Sequence, residues 1–221
     1  SFNFESGISN YLIGSKTWTD KKGNVYLSNG SAMQYAFNKE NNTWYKKTWV
    51  GLTNINADYI WESETKVYYS YQSDQYLLSD DNITWVPITW NGQKPSLGTY
   101  VWNYSGETYY SNGSKRYKLD ESSITWNLVQ NDNKTGTSIW VDSDKIYSSS
   151  SSSQFKFDEA SNTWVSKVWN GLTSFDAKYV WRDCYNNVYY SKGSEQYTLN
   201  KATDTWVVKT WENVTTFNAD N

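Results

Sequence analysis

Two interleaved ladders of tryptophan constrain this chain more than any other feature. One set falls at Trp18, Trp61, Trp102, Trp140 and Trp181, with steps of 43, 41, 38 and 41 residues. A second falls at Trp44, Trp85, Trp126, Trp164 and Trp206, with steps of 41, 41, 38 and 42. Two ladders sharing one period mark a tandem repeat, whose units are too small to bury an apolar face alone and must stack on one another.

The text between the ladders repeats as well. A linker, Gly51 to Trp61, matches Gly171 to Trp181, with six of eleven positions identical. After each first-ladder tryptophan comes an aromatic run, such as Val67-Tyr68-Tyr69-Ser70 or Val188-Tyr189-Tyr190-Ser191. A small polar turn follows, then Gln34-Tyr35, Gln75-Tyr76, Arg116-Tyr117, Gln154-Phe155 or Gln196-Tyr197. An acidic or Asn-rich turn leads to the Thr-Trp pair of the second ladder. Four repeats add a further tryptophan five residues on, at Trp49, Trp90, Trp169 and Trp211, where the third repeat has Asn131.

Each repeat therefore reads as four short strands, A to D, rich in Tyr, Val, Ile, Thr and Trp and separated by Gly, Asn, Asp and Ser. No stretch carries apolar residues at a spacing of 3.6 over ten or more positions, so no helix is expected. In strand D, Trp206 and Trp211 have opposite parity and point to opposite faces of the sheet. A sheet with indoles on both faces is covered on both sides. That predicts an all-β propeller of four-stranded antiparallel blades, five repeats of about 42 residues, each blade packed between two others. A two-sheet sandwich predicts cleaner alternation of apolar and polar positions.

The repeats span about 7–49, 50–90, 91–131, 132–169 and 170–211, and the tail 212–221 restarts the linker, with Thr215-Thr216-Phe217-Asn218-Ala219 mirroring Thr173-Ser174-Phe175-Asp176-Ala177. Two arrangements fit: a complete five-bladed ring, or part of a longer array. The divergent text of Ser1 to Gly7 favours the ring.

The segments Leu119-Asp120-Glu121-Ser122-Ser123-Ile124-Thr125-Trp126 and Phe157-Asp158-Glu159-Ala160-Ser161-Asn162-Thr163-Trp164 resemble the tail of a kelch repeat, where an aromatic-Asp-Pro turn leads to Asn-Thr-Trp. The double glycine and turn proline of kelch are missing, and the period is shorter than the ~50 residues usual there. The resemblance implies a kelch-like propeller. It carries no site residues with it, because kelch families share architecture rather than chemistry.

Composition removes several functions. The chain has no histidine and one cysteine, Cys184, so it lacks the commonest general base and metal ligand, cannot form an internal disulfide and cannot assemble a Cys/His zinc site. The net charge is −3, with no basic run to bind nucleic acid. No apolar run approaches the ~20 residues a membrane helix needs. No cofactor is expected, and no catalysis. The paired carboxylates Asp80-Asp81 and Asp120-Glu121 sit in the repeated C–D turn and read as turn residues rather than a glycosidase pair. Asp142-Ser143-Asp144 lacks the rest of a calcium loop. Cys184 reads as a free thiol in an A–B turn. Sequons at Asn29, Asn41, Asn82, Asn103, Asn112, Asn133 and Asn213 hint at a secretory route.

What remains is binding. In propellers the D–A and B–C connections share a face, and here both are rich in Asn, Ser, Thr and Gly with aromatics nearby. Indoles offer apolar sugar faces a stacking surface, and amides and hydroxyls bond sugar hydroxyls. The ligand-binding candidates are Trp49, Trp90, Trp169 and Trp211, which close strand D and read either as core or as half-exposed stacking rings, with Asn54, Asn112 and Ser174. The bland reading of these polar residues is turn geometry. The expected function is a non-catalytic binding or adhesion module on a cell or virion surface that recognises glycan or another surface polymer. The alternative is a propeller that docks a protein partner or builds an assembly. The sequence leaves the oligomeric state open.

Overall fold

In the computed structural model, which describes residues 3–4, 16–132, 139–183 and 185–219, the chain folds as an all-β propeller of five antiparallel blades with four repeat strands each. Cys184 and the sequon at Asn133 lie outside the described residues. Blade 1 comprises Lys16–Thr19, Val25–Ser28, Gln34–Asn38 and Thr43–Lys47 as strands A to D; blade 2 comprises Ile60–Glu62, Val67–Tyr71, Asp74–Leu78 and Trp85–Pro87. Blade 3 is Val101–Tyr104, Glu107–Asn112, Lys115–Asp120 and Thr125–Asn131. Blade 4 is Ile139–Asp142, Lys145–Ser150, Ser153–Asp158 and Thr163–Ser166; blade 5 is Val180–Arg182, Val188–Lys192, Glu195–Asn200 and Thr205–Val208. By packing, the chain divides into two compact units, Ser1–Thr108 with Leu119–Asn127, and Tyr109–Lys118 with Leu128–Asn221.

Strand pairing follows the turns. Tyr69 faces Tyr76 and Tyr190 faces Tyr197 in the B–C ladders, with ring centroids 6.4 and 6.3 Å apart. Such cross-strand aromatic pairs fix register. Among the described residues, the linkers contain the one departure from pure β structure. Ala57–Tyr59, Gly98–Tyr100 and Ala177–Tyr179 each make a single 3-10 turn before strand A, a feature too short to leave a 3.6-residue pattern. In the first, Asn56 accepts a bond from the Asp58 N–H through its side chain.

The blades meet through tryptophan. At the junction of blades 1 and 2, Trp18 stacks on Trp49 at 5.7 Å, and Trp85 of the next strand D lies 5.9 Å from each. Trp61, Trp90 and Trp126 repeat this trio between blades 2 and 3, and Trp140, Trp169 and Trp206 repeat it between blades 4 and 5, with centroids 5.7–6.1 Å apart. The second-ladder indole thus points toward the preceding blade and the later one toward the following blade, as the parity of strand D requires. Each aromatic pair contributes roughly 0.5–1.5 kcal/mol beyond the area it buries.

The linker leaving one blade also pairs with strand D of the next. Val50 bridges Thr84 in parallel, Asn91 and Gly92 pair with Thr125 and Trp126, and Asn170 bridges Thr205. The approach is close enough to demand glycine. A Cβ on Gly51, at φ +89°, would lie 2.0 Å from the Trp85 carbonyl oxygen, and one on Gly171, at φ +82°, the same distance from that of Trp206.

Candidate functional site

Every linker whose seating is described lies against the B–C turn of the blade it leaves. The Gly30 N–H donates to the Ile55 carbonyl at 2.8 Å, that of Gln72 to Ser96 at 2.6 Å, and that of Phe175 to Ser151 at 3.0 Å. A buried glutamine from strand C locks each pair. The Gln75 side-chain amide donates to the carbonyls of Gln72 and Pro95 at 3.0 and 2.9 Å, and that of Gln154 to Ser151 and Phe175 at 2.5 and 2.9 Å. Gln34 and Gln196 make the same two bonds, to Ser31 and Ile55 and to Gly193 and Phe217. The glutamine was visible as a recurring letter, but its task was not read from the sequence. The D–A linkers and B–C turns thus form one continuous surface on each of these blades, as expected.

Beneath that surface lies an ordered polar chain. In blade 2 the Trp61 indole donates to Ser70 Oγ at 2.8 Å, Ser70 donates to Gln75 Oε1 at 2.7 Å, and Trp90 donates to the same oxygen at 3.0 Å. Trp18 to Ser28, Trp140 to Ser149 and Trp181 to Ser191 repeat the first step at 2.9 Å.

This geometry decides between the two readings of the later tryptophans in favour of the core for three of the four. Trp49, Trp90 and Trp169 retain only 3, 6 and 1 % of their surface and belong to the inter-blade core. The next blade covers the face that a sugar would need. Trp211 alone is partly exposed. Asn54, Asn112 and Ser174 are exposed, two on linkers and one at the end of strand B of blade 3. These residues are distributed one or two per blade.

The rings that do reach this surface are tyrosines missed at the sequence level. Tyr59, Tyr100 and Tyr179 end the three 3-10 turns and are half-buried. Tyr59 lies 4.4 Å from Tyr71, at the end of strand B of blade 2. Tyr179 carries the Lys178 ammonium 4.6 Å from its ring centre and that of Lys192 at 5.4 Å. The signal was available, since Tyr59 and Tyr179 stand at matching positions of the repeated linker.

Across the C–D turns the chemistry is structural. Asp81 accepts from the Thr84 hydroxyl at 2.6 Å and from the N–H groups of Ile83 and Thr84 at 2.8 Å, and these bonds hold its carboxyl well below the usual range. Glu121 accepts from Ser63, from Thr65 at 2.7 Å and from Tyr68 at 3.1 Å, tying blade 3 to blade 2; burial opposes its ionisation, and those donors outweigh it. Asp142 pairs with the Lys201 ammonium at 2.5 Å, so a cation already sits at the Asp142-Ser143-Asp144 segment. Among the described residues no group of three or more Asp, Glu, Cys or His is arranged to hold a metal.

Blade 3 breaks the pattern. Arg116 replaces the glutamine and is 1 % exposed. Its Nη2 donates to Asn162 Oδ1 at 2.8 Å and lies 3.7 Å from Asp132 Oδ1, and its guanidinium lies 4.6 Å from the Phe157 ring centre. Asp132 in turn accepts from the Trp164 indole at 3.1 Å. Burial pushes the guanidinium below its ordinary value, and Asp132 opposes the shift.

No protein-family model matches the chain, and no curated protein matches it. Among solved structures it is similar to the extracellular domain of a protein described as a hybrid two-component system from B. thetaiotaomicron, with 13 % identity and a TM-score of 0.55. The likeness covers 92 % of this chain and 29 % of that one, and it shows the propeller fold. Among the described residues no helix is long and apolar enough to cross a membrane.

Proposed function

We propose that this chain is a non-catalytic binding module that recognises glycan, or a comparable hydroxyl-rich surface polymer, through the linker and B–C turn surface of its blades. The observation that carries this reading is the recurrence of half-buried tyrosine rings at linker ends, on surfaces that also expose Asn54 and Ser174. Tyrosine presents an apolar ring with a polar tip and is cheap to order, which suits stacking on a sugar. One weak contact per blade yields useful avidity against a repeating polymer. The extracellular setting of the structural neighbour supports a location outside the cell or on a surface. The C–D turns carry the kelch-like text, which supports descent from that repeat.

Titration of oligosaccharides by NMR tests the proposal. Binding at millimolar concentration is expected, weakened by Tyr179→Ala and restored by Tyr179→Phe, which keeps the ring. A complete absence of saccharide shifts would discard it. The second reading, a protein-docking propeller, is favoured by the burial of Trp49, Trp90 and Trp169 and by apolar side chains exposed in or just after strand D, Val168 at 80 % and Val208 at 72 %. In that case binding would follow Val208→Asp rather than the tyrosine variants.

A further inference from the structure

We propose that the outward face of blade 5 is an unfilled blade junction, built to receive a further blade of the same repeat continuous with its docked linker. This stands independently of the glycan reading. Three features of blade 5 repeat those of blades whose outward face is covered, and two of them are short of the partner that the next blade supplies.

The first is the indole pair. Trp181 stacks on Trp211 at 5.8 Å and on Tyr189 at 4.6 Å, as Trp18 does on Trp49 and Tyr26 at 5.7 and 4.5 Å. In blades 1, 2 and 4 a third indole from the next strand D completes the trio, and all six paired tryptophans are buried. Trp181 and Trp211 keep partial exposure.

The second is an acceptor with one donor fewer. Asp20, in the A–B turn of blade 1, accepts from Asn24 and Tyr26 at 2.8 Å and also from Asn82, in the C–D turn of blade 2, at 2.8 Å. Asp183, at the same place in blade 5, accepts from Asn187 at 2.8 Å and Tyr189 at 3.1 Å. Its surroundings include the 82 % exposed Tyr185. The position that Asn82 fills for Asp20 has no counterpart for Asp183 among the described residues.

The third is the linker. Gln196 donates to the Phe217 carbonyl at 3.0 Å, and the Gly193 N–H donates to Asn218 Oδ1 at 2.8 Å. Gln154 to Phe175, and Ser151 N–H to Asp176 Oδ1, do the same in blade 4 at 2.9 and 2.8 Å. Phe217 lies edge-on to Trp181 and Trp211 at 6.2 and 6.0 Å, as Phe175 lies against Trp140 and Trp169 at 6.3 and 6.2 Å. In blade 4 that linker delivers strand A of the next blade, and Phe175 then packs on Tyr190 and Trp206. The occupant is thereby specified: a blade whose C–D turn offers an Asn and whose strand D opens with Thr-Trp.

The test appends a copy of residues 59–97, which carries Asn82 and Trp85, directly after Asp220. The readouts are tryptophan oxidation by N-bromosuccinimide, mapped by peptide mass spectrometry, and thermal unfolding. In the unextended chain Trp181 and Trp211 should oxidise several-fold faster than Trp61 and Trp90. The appended blade should slow them to the rate of that pair and raise Tm by about 4 °C or more. An appended copy with its Asn82 and Trp85 counterparts changed to Ala should do neither. The proposal fails if Trp181 and Trp211 are already as protected as Trp61 and Trp90 in the unextended chain, which would place blade 1 there. It fails if their protection grows with protein concentration, which would place a second copy there. It also fails if the added blade leaves their oxidation unchanged.

Discussion

Between blades 2 and 3, Trp61, Trp90 and Trp126 meet ring to ring over a neutral Gln75. Between blades 3 and 4 the same strand C position holds the Arg116 guanidinium, with Asp132 and Asn162 around it and Phe157 against its plane. Gln75 is fully bonded at its junction, whereas Arg116 leaves its Nε buried without a hydrogen-bond partner among the described residues. The two junctions also differ in what happens when one member is lost. An aromatic trio degrades by leaving a void, while a buried ion pair degrades by stranding a charge. The second junction is also self-contained, since Asp132 bonds both its own blade, through the Ser114 carbonyl, and the Trp164 indole of the next.

The sharpest way to break this contrast is Arg116→Gln, which restores the letter of the other repeats. Because Asp132 stays buried, the change should cost about 3–5 kcal/mol in chemical unfolding rather than stabilise. Adding Asp132→Asn should recover most of that loss. If the single change is as mild as a surface substitution, the ion pair does not hold the junction. Trp90→Ala should cost about 3–5 kcal/mol through the cavity it leaves, and a neighbouring polar swap should rescue none of it.

A smaller effect is expected at the crossing glycines. Gly51→Ala puts a methyl group into the Trp85 carbonyl and should cost about 2 kcal/mol or more, while Gly113→Ala, at φ +59° with open space around it, should cost only about 1 kcal/mol. Similar losses at the two sites would mean that the linker can lift off the next blade freely.

The mildest test is alkaline. Burial pushes Tyr69 and Tyr190 up to about 12, and burial with nearby Glu121 raises Tyr68 further. Each favours its neutral form when folded. Their contribution is therefore complete below the unfolded value of ~10 and is lost as pH rises through about 12. Stability followed by fluorescence should hold to about pH 10 and then fall, with tyrosinate absorbance appearing alongside unfolding. Ionisation of Tyr69 or Tyr190 itself at about pH 10, followed residue by residue by NMR, with full retention of structure would contradict this.

Much of the fold was legible because the period, the strand composition and the opposite parity of Trp206 and Trp211 all point one way. The site was less so. Parity places Trp49 on one face of its sheet, but only coordinates reveal that Trp85 of the next repeat is already there. Asn54 and Ser174 read correctly as exposed because turns leave few alternatives. The Arg116 junction was hidden, though its signal was present: the repeat that swaps Gln for Arg is also the one that swaps the later tryptophan for Asn131. Two exceptions in one unit are best read together. The tyrosines were overlooked because indoles drew attention to the wrong ring.

The glutamine clamp has an evolutionary consequence. Gln34, Gln75, Gln154 and Gln196 hold their linkers by main-chain carbonyls alone, at Ile55, Pro95, Phe175 and Phe217. A grip on backbone does not register which side chain sits above it. The outer residues of each linker can therefore diversify while the scaffold stays the same, so that a lineage can retarget its surface one blade at a time.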